Sequence, residues 1–466
     1  MFTTASKAFD SCAEFRRKRT RFLKFTYGRQ WDDLITDPRT GRIMTEGESA
    51  VLSGNTPLTN NLIRQMVKTV VGRYRNLSSD RRDSGSFTDE LARRNQLDEL
   101  DARNLEEFLI SGMAVQKLSF TTLPDGSSFP FIENVNPSAF FISDVNDPRG
   151  FDVELIGMLH DLSLGEVMRR FAGEDPARAA TLREIYSGVA SCQGGLTSGK
   201  SGSFTSAPAG KCRVIEVWHL ENRELLRVLD EYACEYSERD VDDLPEIESE
   251  NLRRGQANLP LLKVKYECRA GWVCSHSSHT GQLLSRRRSP LPDGGHPFFF
   301  KLYPLIDGEI HPFVEDIVDQ QRCINRMIST IDNIMAASAK GLLLYPANLK
   351  PDNLSWRTIA ERWTKVGGII PYLAKPGLPM PQQVTASGLD AGASHLLDIQ
   401  TNMMKNISGV TDTLMGKASS PSSGIDRFEA ELRNATIALT DILDTYSSFI
   451  NNRNERIQKL TDNKES

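Results

Sequence analysis

"HPFVEDIVDQQRCINRMISTIDNIMAASAKG", His311 to Gly341, decides how the rest of the chain is read. Phe313, Ile317, Ile324, Ile328, Ile331 and Met335 recur at helical spacing and form one stripe, the pattern of an amphipathic α-helix. At about 1.5 Å per residue, ~29 helical residues span roughly 44 Å. That is far beyond the average helix of about 11 to 12 residues. Between Pro312 and Lys340 the acids Glu315, Asp316, Asp319 and Asp332 are set against the bases Arg322, Arg326 and Lys340, so the segment is close to neutral.

Downstream, Leu342 to Gly388 holds six prolines, strand-like pieces and the aromatics Trp356, Trp363 and Tyr372. That composition suits a small rigid lobe, and exposed aromatics on such a lobe suit partner contacts. A second helix is expected over Asp390 to Gly409. A small polar loop, Val410 to Gly424, follows. Its core "GKASSPSSG" has two glycines, four serines and one proline in nine residues, a hinge-like composition that cannot build a core of its own. From Ile425 to Ser466 there is neither Gly nor Pro, and Ile425, Phe428, Leu432, Leu439, Ile442, Tyr446, Phe449 and Ile457 keep the helical period. One long helix is expected there.

Upstream the pattern is mixed. Residues 5 to 26 read as one helix whose basic run "RRKRTRFLK", Arg16 to Lys24, carries six positive charges. Thr59 or Asn60 is a candidate N-cap for the periodic segment that follows it. Phe87 to Gly112 reads as one long helix. "AVQKLSF", "FPFIENVNPSAFFISD", "CRVIEVWHL" and "PLLKVKYECRAGWVCSHSS" read as strands, and "LIGMLHDLSLGEVMRRFA" as a strand and then a helix. Between the last strands, Glu221 to Glu250 carries twelve acids against three arginines and is expected to be an acidic loop. The fold class is α+β. The 466 residues suffice for more than one domain. With 39% hydrophobic and 25% charged residues and a net charge of −5, the composition is that of a globular protein without an overall basic footprint for gripping nucleic acid. No secretory signal or membrane span is expected. Seven scattered cysteines favour reduced thiols over a disulfide framework.

Helix, compact insert, helix, small polar loop, very long helix: in this order the chain resembles the portal proteins of tailed bacteriophages. The segments that carry the resemblance are "VEDIVDQQRCINRMISTIDNIMAASAKG" and "ISGVTDTLMGKASSPSSGIDRFEAELRNAT", with "YGRQW", "NNLIRQMVKTVVG", "FLISGMAVQKL" and "NVNPSAFFISDVNDPRGFD" upstream. The resemblance implies a wing over residues 1–310, with a Gly/Ser loop at 187–210. It implies stem helices at 311–341 and 389–409, a clip at 342–388, a tunnel loop at 410–424, and a long kinked helix at 425–466 leading to a short or absent crown. It further implies a structural protein, not an enzyme. Copies form a ring, by resemblance of twelve subunits, at one capsid vertex of the virion, assembled in the host cytoplasm. Double-stranded DNA passes through it without sequence preference. Its partners are the large subunit of terminase, the head-to-tail connector proteins, and the major capsid or scaffolding protein. The resemblance places Lys417, Ser419, Ser420, Ser422 and Ser423 at the DNA channel, Glu315, Asp319, Arg322, Arg326 and Lys340 on the stem, and Trp356, Trp363 and Tyr372 at clip contacts.

Other motifs offer enzymatic alternatives. "GGLTSGKS", Gly194 to Ser201, matches the phosphate-cradling P-loop pattern, which would make the chain an ATPase of the packaging-motor kind. Yet twelve of the 24 residues from Ser187 to Gly210 are Gly or Ser. No apolar strand precedes the motif and no good helix start follows it, so a surface loop is expected. The nearest candidate for a second ATPase motif, "RVIEVWHLE", has Glu216 in mid-strand without the required acid pair. "CRAGWVCSHSSH" brings Cys268, Cys274, His276 and His279 close in sequence. Four N/S ligands suit zinc, but the spacing matches no common finger. Glu315, Asp316 and Asp319 suit Mg2+ only as a helix-borne acid cluster. No cofactor and no catalytic set are expected.

Overall fold

A computed structural model describes the chain apart from residues 38–39, 80–86, 123–125, 127, 188–202, 339–341, 365–368, 378, 385–390, 417–432, 435 and 466. Helix and sheet are both extensive, in agreement with an α+β class.

A six-stranded antiparallel sheet forms the middle layer. Its order is β10 (Leu283–Arg288), β9 (Lys263–Ser278), β7 (Cys212–Asp230), β6 (Leu155–Leu162) and β5 (Phe140–Ile142), with β8 (Glu235–Asp240) on the outer half of β7. Alternation sets what each face covers. On one face Leu155, Leu159, Ile215 and Val217 pack against Ala5 and Phe9 of α1 (Phe2–Ser11). On the other, Ile156, Trp218 and Cys274 pack against Met113, Val115 and Phe298. These last belong to a three-stranded sheet ordered β11 (Phe298–Leu302), β3 (Met113–Thr122), β4 (Ser128–Asn134).

The segment Glu221 to Glu250 is not a loop. β7 runs to Asp230, turns into β8, and leads through a short helical turn into α9 (Leu244–Gln256). Leu226, Val228 and Ile247 bury themselves in a small core of their own, and that apolar trio is what turns the acidic stretch into structure. Six of its twelve acids form ion pairs, among them Arg223–Asp240 and Arg254–Asp230, 2.5 and 2.6 Å.

Two helices expected to be continuous are broken. α1 and α2 (Ala13–Thr26) meet at Cys12. Arg16 folds back there, donating to the Phe9 carbonyl at 2.7 Å and lying 3.5 Å from the centre of the Phe9 ring. α5 (Phe87–Asn95) and α6 (Leu97–Ser111) are separated by Gln96, which takes the left-handed conformation at φ 52°. α6 ends on Gly112 at φ 74°, where a Cβ would collide with Ile310 and the Tyr303 carbonyl.

The largest core joins α2, α4 (Leu62–Ser79), α6, α10 (Phe313–Ser338), α12 (Ala391–Ser408) and α13 (Thr440–Glu465). α12 packs on α10. Between them lies the lobe of β14 (Leu342–Leu344), α11 (Trp356–Thr364) and β15 (Gln382–Val384), with Leu349, Leu354 and Ile359 buried inside it. The expected terminal helix is interrupted at Ala438 and Leu439, where Gly409 approaches so closely that a Cβ on it would lie 2.7 Å from that of Ala438. α13 is joined to the core by buried polar groups. Arg453, 1% exposed, donates to Asp101 Oδ1 and Oδ2 at 2.5 and 3.1 Å and to Gln116 at 2.8 Å. The Tyr446 hydroxyl donates to the Asp101 carbonyl at 2.6 Å.

Candidate functional site

The candidate site is the helix pair α10/α12, its junction with the helical body, and the loop beyond Gly409. α10 uses three of its faces differently. Val314, Ile317, Val318 and Ile324 are buried in the main core. Gln321, Asn325 and Ser329 are buried too, although polar. They serve the segment before α4. The Leu58 amide donates to Ser329 Oγ at 2.9 Å, that of Asn60 to Asn325 Oδ1 at 3.1 Å, and that of Leu62 to Gln321 Oε1 at 2.9 Å. Gln321 Nε2 returns a bond to the Asn60 carbonyl at 2.6 Å, and Asn325 Nδ2 one to Gln30 at 2.5 Å. Four residues of helix rise about 6.0 Å, and two residues of extended chain about 6.6 Å. Every fourth side chain of α10 therefore meets every second amide of the segment. The free N–H groups that open α4 are shared between two caps: Gln321 of α10 takes the amides of Leu62 and Ile63, and the N-cap expected at Thr59 or Asn60 falls instead on Asn61, whose Oδ1 accepts from the Arg64 amide at 3.1 Å.

The third face carries charge. Arg322 and Arg326 both donate to Glu46, at 2.7 and 2.5 Å. Glu46 is 5% exposed and opens α3 (Glu46–Leu52). Burial opposes the charged form of Arg322, but Glu46 outweighs it and the guanidinium pKa is raised. Glu315 lies 3.5 Å from Lys18 and 3.3 Å from His311. Asp316, Asp319 and Asp332 are exposed, and burial, with Glu315 next, raises the Asp316 carboxyl. The expected stem bases are thus turned onto one buried carboxylate, and acids dominate the open surface of the described helix. Lys340 lies outside the described residues, as do Lys417, Ser419, Ser420, Ser422 and Ser423 of the loop and Gly194 to Ser201 of the P-loop pattern.

The apolar stripe of α10 does not stay buried. Phe313, Ile317 and Ile324 are in the core, while Met335 is 51% and neighbouring Ile334 43% exposed. α12 shows the same feature. Met404 is buried against the core, but Leu396, Ile399, Met403 and Ile407 form a second row at helical spacing and are exposed by 52, 38, 47 and 46%. In the lobe, Trp356 is half-exposed against Tyr345 and Lys350, Trp363 is half-buried, and Tyr372 is exposed.

The basic run of α2 turns inward as well. Arg19 pairs with Glu107 at 2.6 Å, Arg21 with Asp33 at 2.9 Å, and Lys24 with Asp32 at 3.8 Å. This is neither a free phosphate-binding stripe nor a purely solvated face.

The four Cys and His residues are not brought together. Cys268 is exposed, six positions along β9 from Cys274 and so about 20 Å away. His279 packs on Tyr186. Cys274 and His276 do meet, Sγ to Nδ1 at 3.8 Å, and the third group beside them is Glu216. Its carboxylate accepts from Lys117 and His160, both at 2.6 Å, and from the Trp218 indole at 2.7 Å. Burial pushes Glu216 up, but Lys117 and His160 outweigh it and hold the carboxyl well below its usual range. Burial raises the Cys274 thiol to about 12 and lowers His276 to about 4.

The ladder of Gln321, Asn325 and Ser329 had a visible signal, polar residues every four positions inside an otherwise apolar helix. The acceptor Glu46 had none, since it reads only as a first-turn acid of α3, beside the Thr45–Glu48 capping box. No curated protein matches the chain. The family model described as phage P22-like portal protein matches residues 88–453, a span holding both helices of the pair, the lobe between them and both sheets. With that match over well more than half its length, the chain belongs to the phage P22-like portal protein family.

Proposed function

We propose that copies of this chain form a ring, of twelve by family resemblance, at one capsid vertex, and that the ring is the conduit for DNA during packaging and ejection. In this reading α10 and α12 are the stem, residues 342–388 are the clip that meets terminase and connector proteins through Trp356, Trp363 and Tyr372, and residues 410–424 are the tunnel loop. The supporting observation is the exposed apolar row on α12, together with Ile334 of α10. A helix face of this kind is stable in water when a neighbour covers it. The surface of α10 fits a sliding partner, because Glu46 offsets part of the charge of Arg322 and Arg326 and the exposed acids discourage tight phosphate contacts. Lys417 supplies a weak, sequence-blind phosphate contact once per subunit. The P-loop alternative gains nothing from β7, since Glu216 is held inside the fold by Lys117 and His160.

Native mass measurement tests the ring, and a stable monomer under assembly conditions would overturn it. Lys417→Glu tests the loop. Rings and empty heads should form while DNA packaging or retention is impaired, and unaltered packaging removes the DNA-contact role.

A further inference from the structure

We propose that Glu216, Cys274 and His276 form a binding site for a thiophilic divalent cation of the zinc and cadmium class. The three stand on one face of the six-stranded sheet. His276 is directly opposite Glu216 in the β7–β9 register, and Cys274 is two residues away on β9. Their ligand atoms lie within 4.8 Å of one another. Sγ and Nδ1 are 3.8 Å apart, near the ~3.5 Å that separates a thiolate and an imidazole on tetrahedral zinc with bonds of about 2.3 and 2.0 Å.

The surroundings are those of a supported ligand set. Trp218 holds Glu216 Oε1 and His160 holds Oε2, the kind of outer contact that orients a metal-binding carboxylate. Ser285 Oγ lies 3.0 Å from His276 Nδ1 and must give up that nitrogen to the metal. Glu216 is 3% and Cys274 0% exposed. His276 is the partly exposed member and sits beside the edge strand β10, which gives an access route. Lys117, from the opposing sheet, supplies the counter-charge to Glu216. Cation binding is therefore an exchange. The Lys117 ammonium withdraws on its flexible stem, the metal takes its place, and the thiol proton is released. This makes the wild-type site weaker than its donor set alone implies.

Cobalt(II) titration of the purified full-length protein is the test. Wild type should develop a cobalt–thiolate charge-transfer band, and Lys117→Met should bind at least about tenfold tighter. Trp218→Phe, which frees Oε1, should bind about tenfold more weakly. Cys274→Ala should abolish the band, and Cys268→Ala should leave it intact. If Cys274→Ala does not fold, cobalt protection of Cys274 from a thiol reagent in the wild-type protein answers the same question. Absence of the band in both wild type and Lys117→Met overturns the proposal. So does its persistence in Cys274→Ala, or absence of Cys274 protection.

Discussion

Arg453 should be worth as much to the placement of α13 as a large buried apolar residue on that helix. Its guanidinium is 1% exposed and makes three hydrogen bonds to groups outside α13, two to Asp101 and one to Gln116. Asp101 is itself buried, and its carboxylate also accepts from Gln116 Nε2, at 2.9 Å. Arg453→Met removes the cation and leaves the carboxylate in a poorly solvating interior, a change that costs about 3–5 kcal/mol. Asp101→Asn leaves the guanidinium uncompensated and should cost about as much. The double replacement removes both charges while the amide retains a partner in Gln116, so it should cost roughly 1 kcal/mol. The two single losses are then strongly non-additive, with a coupling of several kcal/mol. A multi-lobed chain of this size does not unfold in one step, so amide hydrogen exchange in α13 and β3 is the suitable assay. Each single variant should raise the local opening constant about a hundredfold or more, and the double variant about tenfold or less. Losses below about 1 kcal/mol in both single variants, or a double variant that sums them, would refute the view that one buried ion pair fixes α13 to α6 and β3.

Three further outcomes follow from the same reasoning. Gln321→Leu strips the partner from the amides of Leu62 and Ile63 and from the Asn60 carbonyl. It should cost about 3 kcal/mol, seen as loss of exchange protection at the start of α4. Met403→Glu falls on the exposed row of α12 and should leave the single chain within about 0.5 kcal/mol of wild type while native mass measurement shows loss of the ring. His296 is depressed to about 3, by burial first and then by Arg456. The folded state therefore binds fewer protons than the unfolded one between about pH 6.5 and 3, and stability falls as pH drops through that window. His296→Phe should flatten this slope by about 1.4 kcal/mol per pH unit, measured by denaturation at a series of pH values.

Much of the fold was legible where one residue type repeats at one period. The bounds of α10 and α12 follow from their apolar spacing and from Pro312 and Gly409, which flank them. β7 and β9 were visible as strands for the same reason. Reading failed where a tertiary partner overrides local pattern. Nothing local marks Cys12 as a break, because the break depends on Arg16 bonding back to Phe9. Gln96 sits in a run of strong helix formers and nevertheless adopts a positive φ. The acidic count over Glu221 to Glu250 hid Leu226, Val228 and Ile247, whose small core decides that segment. In the candidate site the residue types were legible but not their partners. Arg322 and Arg326 read as stem bases on a near-neutral helix, and a glutamate some 280 positions earlier in the chain takes both.

These contacts together say how α10 is held. Apolar packing alone is non-directional and tolerates small slippage along a helix axis. The ladder of Gln321, Asn325 and Ser329 does not, because each side chain is matched to particular backbone groups. Sliding by one residue would turn all three about 100° away from their partners. Arg322 and Arg326 add a second fixed point on Glu46, on the neighbouring face of the same turns. Both anchors lie between residues 321 and 329, and beyond them the apolar stripe leaves the core at Ile334 and Met335. The helix is therefore clamped in its middle, with one further bond to the body beyond the clamp, from Asn333 Nδ2 to Asn55 Oδ1 at 2.7 Å. A load applied to the lobe beyond α10 would be carried by directional bonds at a single register, and would reach α4 through the amides that Gln321 caps before it could strain the sheets.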